Sequence, residues 1–161
     1  MASIYAICSQ TVKREGMILL SVSKDHEIFQ ALIQAVQKPG GLPDDRGKLL
    51  LAVATFFLGT PFAPCTLEQE GGERLIINLR QLDCFTLVEN TSVLSRLLRT
   101  GQATWPAFTA ALLAGRYRQG LLDGYAARLH YFTDWLYDNQ SQGFLHDITS
   151  ALGGIPWRKE F

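Results

Sequence analysis

The junction at Asp83-Cys84 constrains the folding of this chain more than any other feature. Before it runs an apolar extended stretch carrying Leu75, Ile76, Ile77 and Leu79. At it begins a helix pattern that brings Leu87, Val88, Thr91, Leu94, Leu97 and Leu98 onto or near one face and ends at Thr100-Gly101. The junction therefore places a thiol at a helix N-terminus, where unpaired backbone N–H groups and the helix dipole favour a thiolate. Cys84 also stands one turn before Leu87 and Val88, at the head of its own apolar stripe, and free cysteine is commonly a buried core residue. From the residues alone, an inert core cysteine and a nucleophile both stand.

Around this junction the pattern is mainly helical. Residues 3–9 and 17–22 are short apolar runs that can form a hairpin across Lys13-Arg14-Glu15-Gly16. From Asp25 the spacing of Ile28, Phe29, Leu32, Ile33 and Val36 predicts a helix that Pro39-Gly40-Gly41 stops. Asp44 or Asp45 can cap the next helix, which runs to about Leu58. Leu49, Leu50, Val53, Ala54, Phe56 and Phe57 leave it little polar face, so it is expected to be central and buried. Residues 59–72 read as a loop and 74–79 as a strand. Thr104 caps a helix through Trp105, Phe108, Leu112 and Leu113, and a last helix is expected over about Tyr125 to Asp138. With no repeat or low-complexity linker, residues 1–161 read as a single domain.

The chain has 161 residues, 47% of them hydrophobic and 19% charged, with zero net charge. That is a globular composition with enough residues for a real core. Scattered basic residues give no footprint for nucleic acid or an anionic membrane surface. No apolar stretch reaches the roughly 18 residues of a membrane span, and no signal peptide is visible. Three cysteines (Cys8, Cys65, Cys84) without close pairs argue against a disulfide framework, and no two of His26, His130 and His146 lie at metal-ligand spacing. No metal or other cofactor is called for.

A cysteine nucleophile needs a base and a group to orient it. His130 and Asp134 stand four apart on one predicted helix and can pair there; His146 adjoins Asp147 in a loop; His26 sits at a helix start. Arg128, Tyr131 and Trp135 fall at i, i+3 and i+7 on another face of that predicted helix. An arginine between aromatic rings can recognise a carboxylate or a sugar, and the same stripe serves equally as packing with a snorkelling cation.

Several segments in order go beyond general chemistry: Leu58-Gly59-Thr60-Pro61-Phe62, Thr66-Leu67-Glu68, Glu73-Arg74-Leu75-Ile76-Ile77-Asn78-Leu79, Leu82-Asp83-Cys84 with Thr86, and Val88-Glu89-Asn90. There follow Arg128-Leu129-His130-Tyr131-Phe132, Asp134-Trp135, Asp138-Asn139, Gly143, Asp147-Ile148-Thr149 and Leu152-Gly153-Gly154. This succession, over about residues 44–157, resembles the N-acetylmuramoyl-L-alanine amidase-like family, a group allied to the NlpC-type, papain-like cysteine peptidases of bacterial cell-wall metabolism. The resemblance implies an α+β, papain-like scaffold, mostly helical in this chain, with a short strand leading into the central helix that bears the nucleophile. It implies a metal-free hydrolase in the bacterial cell envelope (periplasm) that cuts the amide between N-acetylmuramic acid and L-alanine of muropeptides. Cys84 matches the nucleophile. His130 matches a family position other than the one expected of the general base and is kept as a candidate base or substrate contact; Arg128, Tyr131, Asp134 and Trp135, in the same series, are the candidate substrate-binding residues.

One departure bears on activity. The histidine of papain-like sites follows the cysteine on a later strand, often before Val-Gly, and this chain has no His-Val-Gly. The chain resembles the N-terminal half of such a protein, so much of the sheet is expected to be missing. An unpaired sheet edge and uncovered apolar faces then imply marginal stability or self-association. The alternative to an amidase is a catalytically silent binding or interaction domain that keeps the front half of the fold.

Overall fold

A computed structural model describes residues 16–37, 41–68 and 70–155. Five α-helices are found among them: α1 (Gly16–Val36), α2 (Arg46–Phe56), α3 (Cys84–Arg99), α4 (Trp105–Arg116) and α5 (Phe132–Ser141). Two 3₁₀ turns, Arg118–Gly120 and Tyr125–Ala127, separate α4 from α5. Helix α3 is central and packs against α2 on one side and α4 on the other, while α1 lies on α2 and α5 on α4. None of the described helices is long and apolar enough to cross a membrane.

The helix starts follow from local capping chemistry. The Asp45 carboxylate accepts from the Lys48 N–H at 2.8 Å and fixes the start of α2. Thr104 Oγ1 accepts from the Ala107 N–H at the start of α4, where Pro106 has no N–H that needs an acceptor. Helix α3 opens with a reciprocal capping box: the Thr86 N–H donates to Asp83 Oδ1 (2.7 Å) and the Asp83 N–H to Thr86 Oγ1 (2.9 Å). It closes at Gly101, whose positive φ of 68° lets the chain turn back so that the Gln102 N–H reaches the Leu97 carbonyl. The core lies where α1, α3 and α4 meet: Phe29 stacks on Phe108 and meets Trp105 edge-on, beside Leu32, Leu94, Leu98 and Leu112.

Four sequence-based expectations are corrected. Residues 17–22 are helical, inside α1, and are not half of a hairpin; residues 3–9 lie outside the described residues. Helix α2 buries Leu49 and Val53 but leaves Leu50 and Leu51 exposed, Leu51 at 66%, so its second apolar face is uncovered. The helix expected over Tyr125–Asp138 is broken: Arg128 is extended and bridges Tyr117, and α5 begins only at Phe132. The strand expected at 74–79 is irregular and joins no sheet; isolated bridges, Phe62 with Leu82 and Tyr117 with Arg128, are the β pairing among the described residues.

Side chains of the helices take the place of a neighbouring strand along 73–80. Asp25 Oδ1 of α1 accepts from the Leu79 N–H (2.9 Å) and from Arg80 Nε (3.1 Å). Arg116 of α4 donates to the Ile76 carbonyl, and the Tyr117 hydroxyl donates to Glu73 Oε1 (2.7 Å) and lies 3.1 Å from the Arg74 carbonyl. Buried backbone groups must find partners somewhere. Here they find them on side chains of α1 and of the end of α4, which hold the segment that leads to Cys84.

Candidate active site around Cys84

Cys84 is the first residue of α3, and its thiol is free and exposed. The core-cysteine reading is thereby excluded. The capping box takes up the Thr86 N–H, while the N–H groups of Cys84 and Phe85 have no hydrogen-bond partner among the described residues. Two donors and the positive end of α3 thus lie beside the sulfur, an arrangement suited to a developing oxyanion. Asp83 is engaged in the cap and shapes the turn.

Phe85 meets Phe132 and Trp135 edge-on, each at 5.9 Å, and the latter two stack at 5.5 Å. This cluster pins the start of α5 to the start of α3. Trp135 is buried in it, Phe132 is half-exposed, and Tyr131 is 73% exposed next to it.

The other candidate residues divide. Arg128 is buried and held by carboxylates of the chain: its terminal nitrogen donates to Glu68 Oε1 (2.6 Å), and its Nε lies 3.1 Å from Glu73 Oε1 without hydrogen-bond geometry. Its guanidinium also lies over the Tyr125 ring. Asp134 pairs with Arg118 at 3.6 Å on the surface rather than with His130, because the break before Phe132 removes the shared helix face. His130 is exposed, packs on the Tyr125 ring at 4.1 Å, and places Nε2 2.8 Å from the Tyr125 carbonyl. A carbonyl only accepts, so Nε2 carries the proton, and in the neutral ring Nδ1 is left as an acceptor. His146 is exposed beside Asp147, whose carboxyl is held below its ordinary value by hydrogen bonds from Thr149. Neither histidine hydrogen-bonds to the Cys84 sulfur; His26 packs against Phe29 and Trp105.

Behind the site lies a buried ionic bracket that sequence reasoning missed. Arg116 and Glu89, 2% and 1% exposed, make a bidentate pair at 2.6–3.1 Å. It ties α3 to α4 and, through the Ile76 carbonyl, to the segment before Cys84. The Tyr117 phenol is pushed well above its ordinary range, first by burial and then by its bond to Glu73. The one sequence signal was Glu89 itself, an acidic residue in the middle of a helix expected to be central. Cys65 is disulfide-bonded, which corrects the reading of the cysteines as unpaired. No group of three or more His, Cys, Asp or Glu side chains able to hold a metal ion is found among the described residues.

Residues 52–159 match the family model described as N-acetylmuramoyl-L-alanine amidase-like. This chain belongs to that family. Two solved structures of an N-acetylmuramoyl-L-alanine amidase from Bacteroides uniformis align with TM-scores of 0.62 and 0.61 at 38% and 39% identity, each over 66% of this chain and 44% of theirs. A structure named a putative xylanase, from Bacteroides fragilis, aligns with a TM-score of 0.54 at 40% identity over 59% of this chain and 42% of that one. The aligned part of the chain thus spans less than half the length of these family relatives. No curated protein matches.

Proposed function

We propose that this chain carries the nucleophile-bearing part of a cysteine amidase that cleaves the N-acetylmuramoyl-L-alanine bond of peptidoglycan fragments in the bacterial cell envelope. The observation that supports this most is the exposed, free Cys84 thiol at the first position of the central helix in a chain of this family. In the proposed reaction the Cys84 sulfur attacks the amide carbonyl carbon, the C–N bond breaks, and the amine leaves with a proton. Water then attacks the thioester, releasing the muramoyl acid and restoring the thiol. The free N–H groups of Cys84 and Phe85 would hold the oxyanion. His130, with Nδ1 free to accept a proton, is the candidate base or substrate contact within the chain. Exposed Tyr131 is the member of the substrate series best placed to meet a sugar or peptide; Arg128, Asp134 and Trp135 support it from behind through their ion pairs and ring packing. The papain-like, NlpC-type frame is part of this reading.

A second reading is favoured by one observation: no histidine is hydrogen-bonded to Cys84 among the described residues. In that reading the chain is a binding or interaction domain that recognises muropeptides without cutting them.

Incubation with a muramyl peptide, followed by mass spectrometry, separates the two. Release of intact stem peptide by the chain, and its loss in Cys84→Ala, is the expected result. Saturable muropeptide binding without release would select the binding domain, and release that survives Cys84→Ala would overturn the cysteine mechanism.

A further inference from the structure

Arg80, Arg116, Arg118 and Arg128 each face a carboxylate of the chain. Arg46, Arg96 and Arg99 make no ion pair among the described residues, yet all three line one cavity of about 450 Å³ between α2, the end of α3, α5 and the loop after it. Among the described residues, no aspartate or glutamate lines this cavity. Three arginines without an ion pair around one concavity concentrate positive potential there. The Arg96 guanidinium lies 4.0 Å over the Phe144 ring, and its pKa is lowered by burial.

Trp135 also lines the cavity and is 3% exposed, so its ring reports on what enters. Its Nε1–H is buried away from solvent with no acceptor among the described residues. The remaining lining includes Leu50, Val93 and Leu145, which suit a hydrocarbon body. The volume is within the range of small-molecule sites, about 300–1,000 Å³. The arginines of this cavity stand away from Cys84: Arg96 lies roughly 18 Å farther along the axis of α3 at about 1.5 Å per residue, and Trp135, which packs on Phe85, is the residue shared with the Cys84 site.

We propose that this cavity binds a small dicarboxylate or acidic peptide, its carboxylates on Arg46, Arg96 and Arg99 and its methylene body against Phe144 and Leu145. Guanidinium forks match carboxylates geometrically, and the apolar wall favours such a ligand over a bare phosphate.

The test is a titration of the ¹⁵N-labelled chain with glutarate, glutaramide and inorganic phosphate. The readout is the Trp135 indole N–H resonance, assigned with Trp135→Phe. Glutarate is expected to shift it saturably, leaving the Trp105 indole in place, while glutaramide does not. Arg99→Gln, at an exposed position that leaves the fold intact by circular dichroism, should weaken glutarate binding about tenfold, and Arg46→Gln likewise. Absence of a glutarate shift, an equal shift with glutaramide, or unchanged affinity in both variants would overturn the site. An equal response to phosphate would overturn the dicarboxylate assignment.

Discussion

Two sets of arginines in this small helical body are built in opposite ways. Arg116 and Arg128 are buried and charge-paired: one forks onto Glu89, the other is held by Glu68 and Glu73. Arg46, Arg96 and Arg99 line an open cavity with no carboxylate on its walls among the described residues. The first set spends its charge within the chain, holding the segment that leads to Cys84. The second leaves its charge available to something else. The difference separates arginines that shape a site from arginines that can be one.

The largest expected effect breaks the first set. Glu89→Ala leaves the Arg116 guanidinium buried without its partner, and breaking a buried pair in this way costs about 3–5 kcal/mol. Urea unfolding should show that loss as a fall in the midpoint. Replacing both residues with apolar side chains of similar volume should recover most of it, because the penalty belongs to the orphaned charge. A loss under about 1 kcal/mol in Glu89→Ala would mean that the bracket does not carry the fold, since a loss that small is usual for an ordinary point substitution.

A smaller effect sharpens the role of the same network through pH. The folded protein holds the Tyr117 proton more tightly than the unfolded chain, because burial and then Glu73 raise the phenol above its ordinary 10.0. The associated stability is fully present below about pH 10 and is lost as pH rises through the folded-state value. Tyr117→Phe should cost about 1 kcal/mol near neutrality, through the hydrogen bond to Glu73. It should also flatten the fall of melting temperature above pH 10. Equal alkaline slopes in the two proteins would place the proton linkage elsewhere.

The same contrast explains what could be read from the sequence. The starts of α2, α3 and α4 were legible because Asp45, Asp83 with Thr86, and Thr104 act within three residues of themselves. The position of Cys84 at the head of α3 belongs to this local class. The buried bracket does not: Glu89 and Arg116 are 27 residues apart, and Arg128 and Glu68 are 60 apart. That pairing pulls Arg128 out of the helix its neighbours suggested. Side chains likewise hold 74–79 without a sheet, since β-branched content cannot say whether backbone partners will come from a strand or from side chains. The exposed second face of α2 was misread for a related reason: an apolar face records what can be buried, not what covers it. The cavity arginines left no pattern, since Arg96 and Arg99 also read as ordinary cations in the last turn of a helix.

The smallest expected effect tests the second set directly. Arg99→Gln removes one of three like charges that nothing in the described chain neutralises, which relieves repulsion. It also removes a cation from the last turn of α3, which by itself costs a few tenths of a kcal/mol. The two terms oppose, and the net change in unfolding free energy should stay within about 0.5 kcal/mol of zero. Salt should narrow it further, because both terms are screened. The comparison turns on the contrast in sign and size with Glu89→Ala: an arginine that stabilises the fold resists removal, while one kept for a ligand can be removed without loss until the ligand is present. A loss above about 1 kcal/mol in Arg99→Gln, measured beside Glu89→Ala under the same conditions, would move Arg99 into the structural set and leave the cavity with too little free charge to recognise a dicarboxylate.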